Sequence, residues 1–145
     1  MDFKFVDIGS KEYKAGLLVR EQLFFKNFTN ASELLNDVHE KESVHLVAFE
    51  NNIVIGTGRL IVINNTTIIS QMTVLPDFQK QNVGKQILQL LIDKSINANC
   101  SIIELSAHIT ALEFYKKYGF ITTGYVYPSK KTGVLHQKMI LNTSK

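Results

Sequence analysis

The sequence predicts an α+β fold: a mixed, mostly antiparallel sheet of about six to seven strands flanked by about four helices. Two observations carry that expectation. Three β-type runs, "VHLVAFE", "IVIGTGRLIVI" and "TTIISQMTVL", follow one another from Val44 to Leu75, separated only by the pairs Asn51-Asn52 and Asn64-Asn65. Asparagine tolerates the positive φ that tight hairpin turns need, so the runs read as a three-strand antiparallel meander. After them Gly84, Ile87, Leu88, Leu91 and Ile92 recur at i, i+3, i+4, i+7 and i+8, one face of a helix, and the pattern then returns to strand.

The other elements follow in chain order. Phe3 to Ile8 alternates apolar residues on both parities and reads as a first strand. From Lys11 to Phe28 the apolar positions Leu17, Leu18, Phe24, Phe25 and Phe28 recur at mixed three and four spacing, as in a helix. Asn30-Ala31-Ser32-Glu33 resembles a cap ahead of a short second helix through Leu34, Leu35 and Val38. The third strand of the meander stops at Pro76, and the long helix ends near Asn97-Ala98-Asn99. Ser101 to Ala107 is the next strand. Thr110 and Glu113 have capping-box spacing before a short helix that puts Tyr115 and Tyr118 on one face, with Gly119 available for a left-handed C′ turn. Phe120 to Tyr127 and Val134 to Leu141 form two closing strands.

At 145 residues, with no repeat, low-complexity tract or Pro/Gly/Ser linker, residues 1–145 are expected to form one domain. The 45% hydrophobic and 20% charged content is that of a globular protein, and no apolar run approaches a membrane span. Met1-Asp2-Phe3-Lys4 does not open a leader peptide, which makes a cytoplasmic location the expectation. The single cysteine, Cys100, precedes the apolar pair Ile102-Ile103 and reads as a core thiol. A net charge of +3 spread along the chain, without an Arg-rich block or stacking aromatics, argues against nucleic acid and suits a small polyanion.

One loop is suited to such a guest. In "TVLPDFQKQNVGKQILQLLI" a strand gives way to a polar loop and then to a helix starting at Val83-Gly84. The first amides of a helix lack internal partners and carry the positive end of its dipole, so Val83, Gly84 and Lys85 can hold a phosphate. Gln79, Lys80 and Lys85 can add side-chain donors, and Gly84 would let the ligand come close. A strand–loop–helix with a single glycine serves purely structural ends just as readily. It is neither a Walker loop nor a dinucleotide fingerprint, because Gly84-Lys85 is followed by Gln86 and no G-x-G-x-x-G opens the helix.

Together with "ALEFYKKYGF" downstream, this loop resembles the GNAT superfamily of N-acetyltransferases over roughly Ser43 to Leu141. In that family a Q/R-x-x-G-x-G/A loop wraps the pyrophosphate of acetyl-CoA, and Gln79-Lys80-Gln81-Asn82-Val83-Gly84 matches its first and last fixed positions, with Asn82 in place of the first glycine. The resemblance implies that Gln79, Lys80, Gln81, Asn82, Val83, Gly84 and Lys85 hold the cofactor. Ala111-x-x-Phe114-Tyr115-x-x-x-Gly119-Phe120 is similar to the family's short helix beside the thioester, which implies that Tyr115 protonates the departing CoA thiolate. The splayed strand before the loop, at Met72, Thr73 and Val74, would supply an oxyanion donor and pair with the pantetheine amides.

A general base is also required, and His136, Glu104 and His108 are the candidates. His136 comes first because "GVLHQKM" resembles the G-x-x-H-x-x-M ending of the ElaA-like bacterial branch; Glu104 is second. His108 stands where many family members carry a cofactor-side Asn. Arg20-Glu21-Gln22-Leu23-Phe24 is similar to the R-x-x-V-F of the same branch, in which this helical region frames the acceptor pocket. The resemblance implies an acetyl-CoA-dependent N-acetyltransferase acting by direct attack in a ternary complex. The acceptor would be a small-molecule amine: an amino acid, amino sugar, polyamine or peptide N-terminus. Small GNAT proteins often pair, which allows a homodimer. The alternative is a GNAT-fold acyl-CoA-binding or regulatory module without turnover. His39 and His45 have no metal-ligand spacing, and no metal is expected.

Overall fold

A computed structural model of the chain describes residues 1–24 and 37–143. Within them the elements are β1 (Asp2–Val6), α1 (Lys11–Phe24), β2 (Val44–Glu50), β3 (Ile53–Ile63), β4 (Thr66–Val74), α2 (Val83–Asn97), β5 (Ile102–His108), α3 (Leu112–Lys116), β6 (Ile121–Pro128) and β7 (Leu135–Asn142). The described strands form one sheet in the order β1-β2-β3-β4-β5-β7-β6. β4 and β5 run parallel, and every other neighbouring pair is antiparallel. The expected mixed, mostly antiparallel α+β fold is therefore the one observed. Leu34 and Leu35 of the expected second helix lie outside the described residues, as do Phe25 and Phe28; Val38 sits in a turn, 89% exposed.

Both asparagine pairs do what the hairpins require. Asn51 and Asn52 have φ of 51° and 66°, and Asn64 and Asn65 have φ of 50° and 64°, two consecutive left-handed residues at each turn. The first strand is shorter than expected, with Ile8 already in the turn that leads to α1. α1 begins where the Ser10 hydroxyl accepts the Tyr13 amide at 3.1 Å. Its buried face is Tyr13, Gly16, Val19 and Arg20, whereas Leu18 is 67% exposed, so the apolar stripe expected through Leu17 and Leu18 is displaced. The helix docks through a buried charge, which apolar periodicity does not register.

α2 lies on the opposite face of the sheet and buries Ile87, Leu88, Leu91 and Ile92, as its spacing predicts. It lies against β3 at Gly58, where a Cβ would come within 2.7 Å of Ile87 Cγ2 and 2.9 Å of Leu91 Cδ1. Gly58→Ala should therefore overpack this contact at a cost of about 1–3 kcal/mol. For a chain of this size that is a fall of roughly 3–10 °C in Tm by calorimetry. Cys100 is buried, as expected.

Two local features set up the site. In β4, Thr73 pairs with Thr57 and Ser70 with Arg59, so Gln71 and Met72 together oppose Gly58 in a β-bulge. The extra residue reverses the side-chain parity. Ile69 before the bulge and Met72 and Val74 after it all pack against the core beneath α2. Ahead of α3 the chain makes a one-turn 3-10 helix, Ile109–Ala111, and the expected capping box does not form. The Thr110 hydroxyl is 2.8 Å from His108 Nδ1, which also accepts the Thr110 amide at 3.2 Å, so His108 takes the cap position. α3 ends as predicted at Gly119, whose φ is +93°.

Candidate active site

The sheet opens between β4 and β5. Their parallel pairing joins Thr66–Ile69 to Ile102–Leu105 and then stops, although β4 continues to Val74 and β5 to His108. The Leu75 amide bonds to Ile55 O across the β3 side at 2.8 Å. Because backbone groups alternate along a strand, the amides and carbonyls of Met72 and Val74 are directed the other way, into the opening. Gln79 Nε2 donates to one of these, Val74 O, at 2.9 Å. The Gln79 side chain is thus tied to the strand edge as well as lying in the loop.

Beyond the strand, Gln79 donates its amide to Pro76 O at 3.3 Å, and the helix ladder begins with Gln86 N to Asn82 O at 3.1 Å. Among the described residues no acceptor meets the amides of Val83, Gly84 and Lys85. The buried Val83 side chain anchors this helix start in the core, while Gln79, Lys80, Gln81, Asn82 and Lys85 are exposed around it. Asn82 has φ +65°, a left-handed conformation suited to the glycine that it replaces. Asn82→Val should cost about 1–2 kcal/mol in a denaturant titration, because a β-branched residue resists this conformation, while Asn82→Gly should hold the wild-type midpoint. A Cβ at Gly84 would meet Phe114 Cζ at 3.7 Å and Val74 Cγ2 at 4.0 Å, ordinary contacts on the protein's own side.

α3 closes the same side of the opening. Tyr115 donates its hydroxyl to Met72 Sδ at 3.8 Å, and its ring is edge-on to Phe114 and Phe120 with centroids 5.0 and 5.9 Å away. Burial pushes the phenol up to about 12, so it stays protonated throughout the neutral range. Phe114 Cζ lies 3.7 Å from where a Cβ on Gly84, at the start of α2, would stand. Tyr115, Met72, Val74 and the helix N-terminus are therefore brought together by local packing.

The three base candidates occupy the other face. Ile103, Leu105 and Ala107 of β5 point into the core, which turns Glu104, Ser106 and His108 away from it. His108 lies directly opposite His136 in the β5–β7 ladder, their rings 5.7 Å apart. His136 Nδ1 is 2.8 Å from Val134 O. A carbonyl only accepts, so Nδ1 carries the proton, and in the neutral ring Nε2 has the lone pair. His108 is the reverse, its Nδ1 accepting from Thr110. Glu104 is ion-paired with Lys138 Nζ at 3.1 Å, and Ser106 is hydrogen-bonded to the Tyr127 hydroxyl.

Sequence reasoning did not find the buried ionic cluster beneath α1. Arg20 donates to both carboxylate oxygens of Glu40, at 2.8 and 3.0 Å, and Tyr13 donates to Oε2 at 2.5 Å. Arg59 joins Glu40 (2.8 Å) to Asp37 (2.9 and 3.0 Å), and its Nε donates to Ser70 Oγ at 2.8 Å. The cluster reaches β4 as well, since Arg20 Nε donates to Gln71 Oε1 at 3.1 Å. Its hydrogen-bonded partners lie between 11 and 51 positions apart, and no spacing rule links them. Among the described residues no group of three or more His, Cys, Asp or Glu could hold a metal ion.

The cluster sets a pH dependence. Burial opposes ionisation of Glu40, but hydrogen bonds from Arg20, Tyr13 and Arg59 outweigh it and hold the carboxyl at about 2; Asp37, part-buried and bonded to Arg59, is also held at about 2. Burial lowers His45 below its ordinary value. All three have folded pKa values below the unfolded ones, so their contribution is complete above the unfolded values and is lost on acidification. Tm should fall modestly below about pH 6.5 as unfolded-state His45 protonates, and steeply from about pH 4.5 down to 2 as the carboxylates do. Calorimetry across pH 2–8 checks this; a flat profile below pH 4.5 would contradict it.

Comparison with known proteins points one way. The family described as "Acetyltransferase (GNAT) domain" matches residues 6–143. The uncharacterised N-acetyltransferase YjcF of Bacillus subtilis (strain 168) is 28% identical over 110 residues, covering 76% of this chain and 79% of its own. Among solved structures, Escherichia coli ElaA superimposes with a TM-score of 0.83 at 16% identity, covering 97% of this chain and 99% of its own. An aminoglycoside 6′-N-acetyltransferase complexed with coenzyme A has a TM-score of 0.76 at 13% identity, covering 100% and 98%. At those identities the two structures speak to the fold alone. Among the described residues no helix is long and apolar enough to cross a membrane.

Proposed function

Because this chain belongs to the GNAT acetyltransferase family, we propose that it moves an acetyl group from acetyl-CoA to the primary amine of a small molecule, by direct attack in a ternary complex. One observation carries the reading: among the described residues, unpartnered amides at Val83, Gly84 and Lys85 lie beyond one end of an open strand edge, with a part-buried, protonated Tyr115 at Met72 on that edge. The structural relative that is complexed with coenzyme A supports the same ligand for this fold.

Acetyl-CoA, when bound, supplies an activated acyl thioester. The helix-start amides, with Lys80 and Lys85, hold its diphosphate by dipole and charge. The edge groups of Met72 and Val74 pair with the pantetheine arm as an added strand would, and one of those amides donates to the carbonyl oxygen as negative charge gathers there. Thr73 belongs to the same strand, but its amide faces β3. Tyr115 Oη holds the proton that meets the departing thiolate. His136, with its Nε2 lone pair, takes the proton of the attacking amine from the opposite face, in preference to Glu104, whose charge Lys138 already engages. His108, opposite His136 in the ladder, is read as an amine-side residue rather than a cofactor-side one.

The test is release of free thiol from acetyl-CoA with a panel of amino acids, amino sugars, polyamines and short peptides, run beside a thermal shift with CoA. Turnover with one class identifies the acceptor. CoA stabilisation with no turnover across the panel would instead favour a binding or regulatory module. Absence of both would sink the reading.

A further inference from the structure

β4 reaches the cleft through a residue in a conformation that its side chain disfavours. Gln71 has φ +55° at the β-bulge, a left-handed position that ordinarily goes to glycine. A non-glycine residue persists there only where its surroundings over-determine it. Two bonds converge on it. The Thr57 hydroxyl donates to Gln71 O at 2.8 Å, and Arg20 Nε donates to Gln71 Oε1 at 3.1 Å. Both donors are buried, Thr57 4% and Arg20 3% exposed. Neither is free to rotate away, because Arg20 is gripped by both oxygens of Glu40, and Thr57 Cγ2 packs on α1 at Gly16, where a Cβ would lie 3.3 Å from it.

The bulge decides what faces the cleft. If Gln71 relaxed to an extended conformation, the extra residue would be taken up by the ladder and the register beyond it would slip by one. Such a slip exchanges both the side-chain faces and the edge groups. Met72 would then leave Tyr115, and the amides of Met72 and Val74 would turn toward β3.

We propose that Thr57 is a positioning residue for acyl transfer, supported by Arg20: its buried hydroxyl clamps Gln71 in the left-handed turn that aims the Met72 and Val74 amides at the acyl arm. The inference rests on the proposed acetyl-CoA site but not on the identity of the acceptor. It separates Thr57 from the loop that holds the diphosphate, because the clamp acts on the strand edge alone.

Thr57→Val keeps the shape of the side chain and removes the donor. It should lower kcat/KM for acetyl-CoA on the order of tenfold or more and weaken CoA itself, while adenosine 3′-phosphate 5′-diphosphate, which lacks the pantetheine arm, binds as to wild type. Thr57→Ser should restore wild-type behaviour. So should Thr57→Val combined with Gln71→Gly, since glycine holds a positive φ without a clamp. Backbone NMR shifts of Gln71, Met72 and Thr73 in the free protein give a readout that needs neither ligand nor turnover: they should move toward extended values in Thr57→Val and return in the two rescued proteins. Unchanged shifts and CoA affinity in Thr57→Val, or a failure of Gln71→Gly to rescue, would overturn the clamp. Responsive shifts in a protein that binds no CoA would leave the clamp standing and remove the acetyl-CoA reading instead.

Discussion

Tyr115→Phe is expected to lower kcat on the order of 10² or more while CoA affinity stays within about threefold, the signature of a lost proton donor rather than of lost binding. The separation follows from where the hydroxyl sits. It touches a thioether, Met72 Sδ, and among the described residues no charged group bonds to it, so deleting it leaves no unpaired ion and little lost packing. The ring, wedged edge-on between Phe114 and Phe120, stays in place. Because burial pushes the phenol up to about 12, the wild-type rate should show no alkaline loss attributable to Tyr115 below about pH 11. Thiol release under saturating acceptor, with CoA binding measured by calorimetry, checks both halves. An unaltered kcat would take Tyr115 out of the mechanism, and a parallel loss of CoA affinity would make it a packing residue of the cleft.

The parts of this molecule that were legible in its sequence are those specified locally. Paired asparagines made the two hairpins because each turn needs two left-handed residues in succession, a demand met within the turn itself. The α2 face was legible for the same reason, since its burial depends on a 3.6-residue period and little else. Gly119 likewise announced the end of α3. The parts that were not legible depend on partners far away in the chain. Nothing beside Gln71 marks it as left-handed; its conformation is imposed by Thr57 and Arg20, 14 and 51 positions away. Thr110 and Glu113 satisfied the spacing of a capping box, but His108 competed for the same hydroxyl and won, and a local rule cannot register a competitor two residues upstream.

The site repeats this division. The resemblance grouped Tyr115 with the loop and the strand edge, and the structure brings Tyr115 to Met72 on that edge although α2 and β5 lie between them in the chain. The sequence grouped Glu104, His108 and His136 only as alternatives, whereas the β5–β7 register puts His108 against His136 and gives the two rings opposite tautomers. That distinction depends on Val134 O and Thr110 N, backbone atoms whose positions no residue type reveals.

The cluster under α1 carries the largest expected effect on stability. Glu40 accepts two hydrogen bonds from Arg20, and it shares Arg59 with Asp37. Glu40→Gln keeps the volume but removes the carboxylate that Arg20, only 3% exposed, meets through two hydrogen bonds. Breaking a buried pair typically costs about 3–5 kcal/mol. At roughly 2–4 °C per kcal/mol for a chain of this length, Tm should fall by about 10 °C or more. Arg20→Met combined with Glu40→Gln should lose less than the two single changes summed, with a coupling of at least about 2 kcal/mol in a double-mutant cycle, because the two side chains bond each other directly. Arg20 also holds Gln71, so Glu40→Gln should loosen the bulge as well as the fold. Acetyl-CoA turnover should then fall at temperatures well below the new Tm. Full turnover there would mean that Thr57 alone suffices to hold the strand, while additive losses in the cycle would mean that Arg20 and Glu40 act on stability independently despite their two hydrogen bonds.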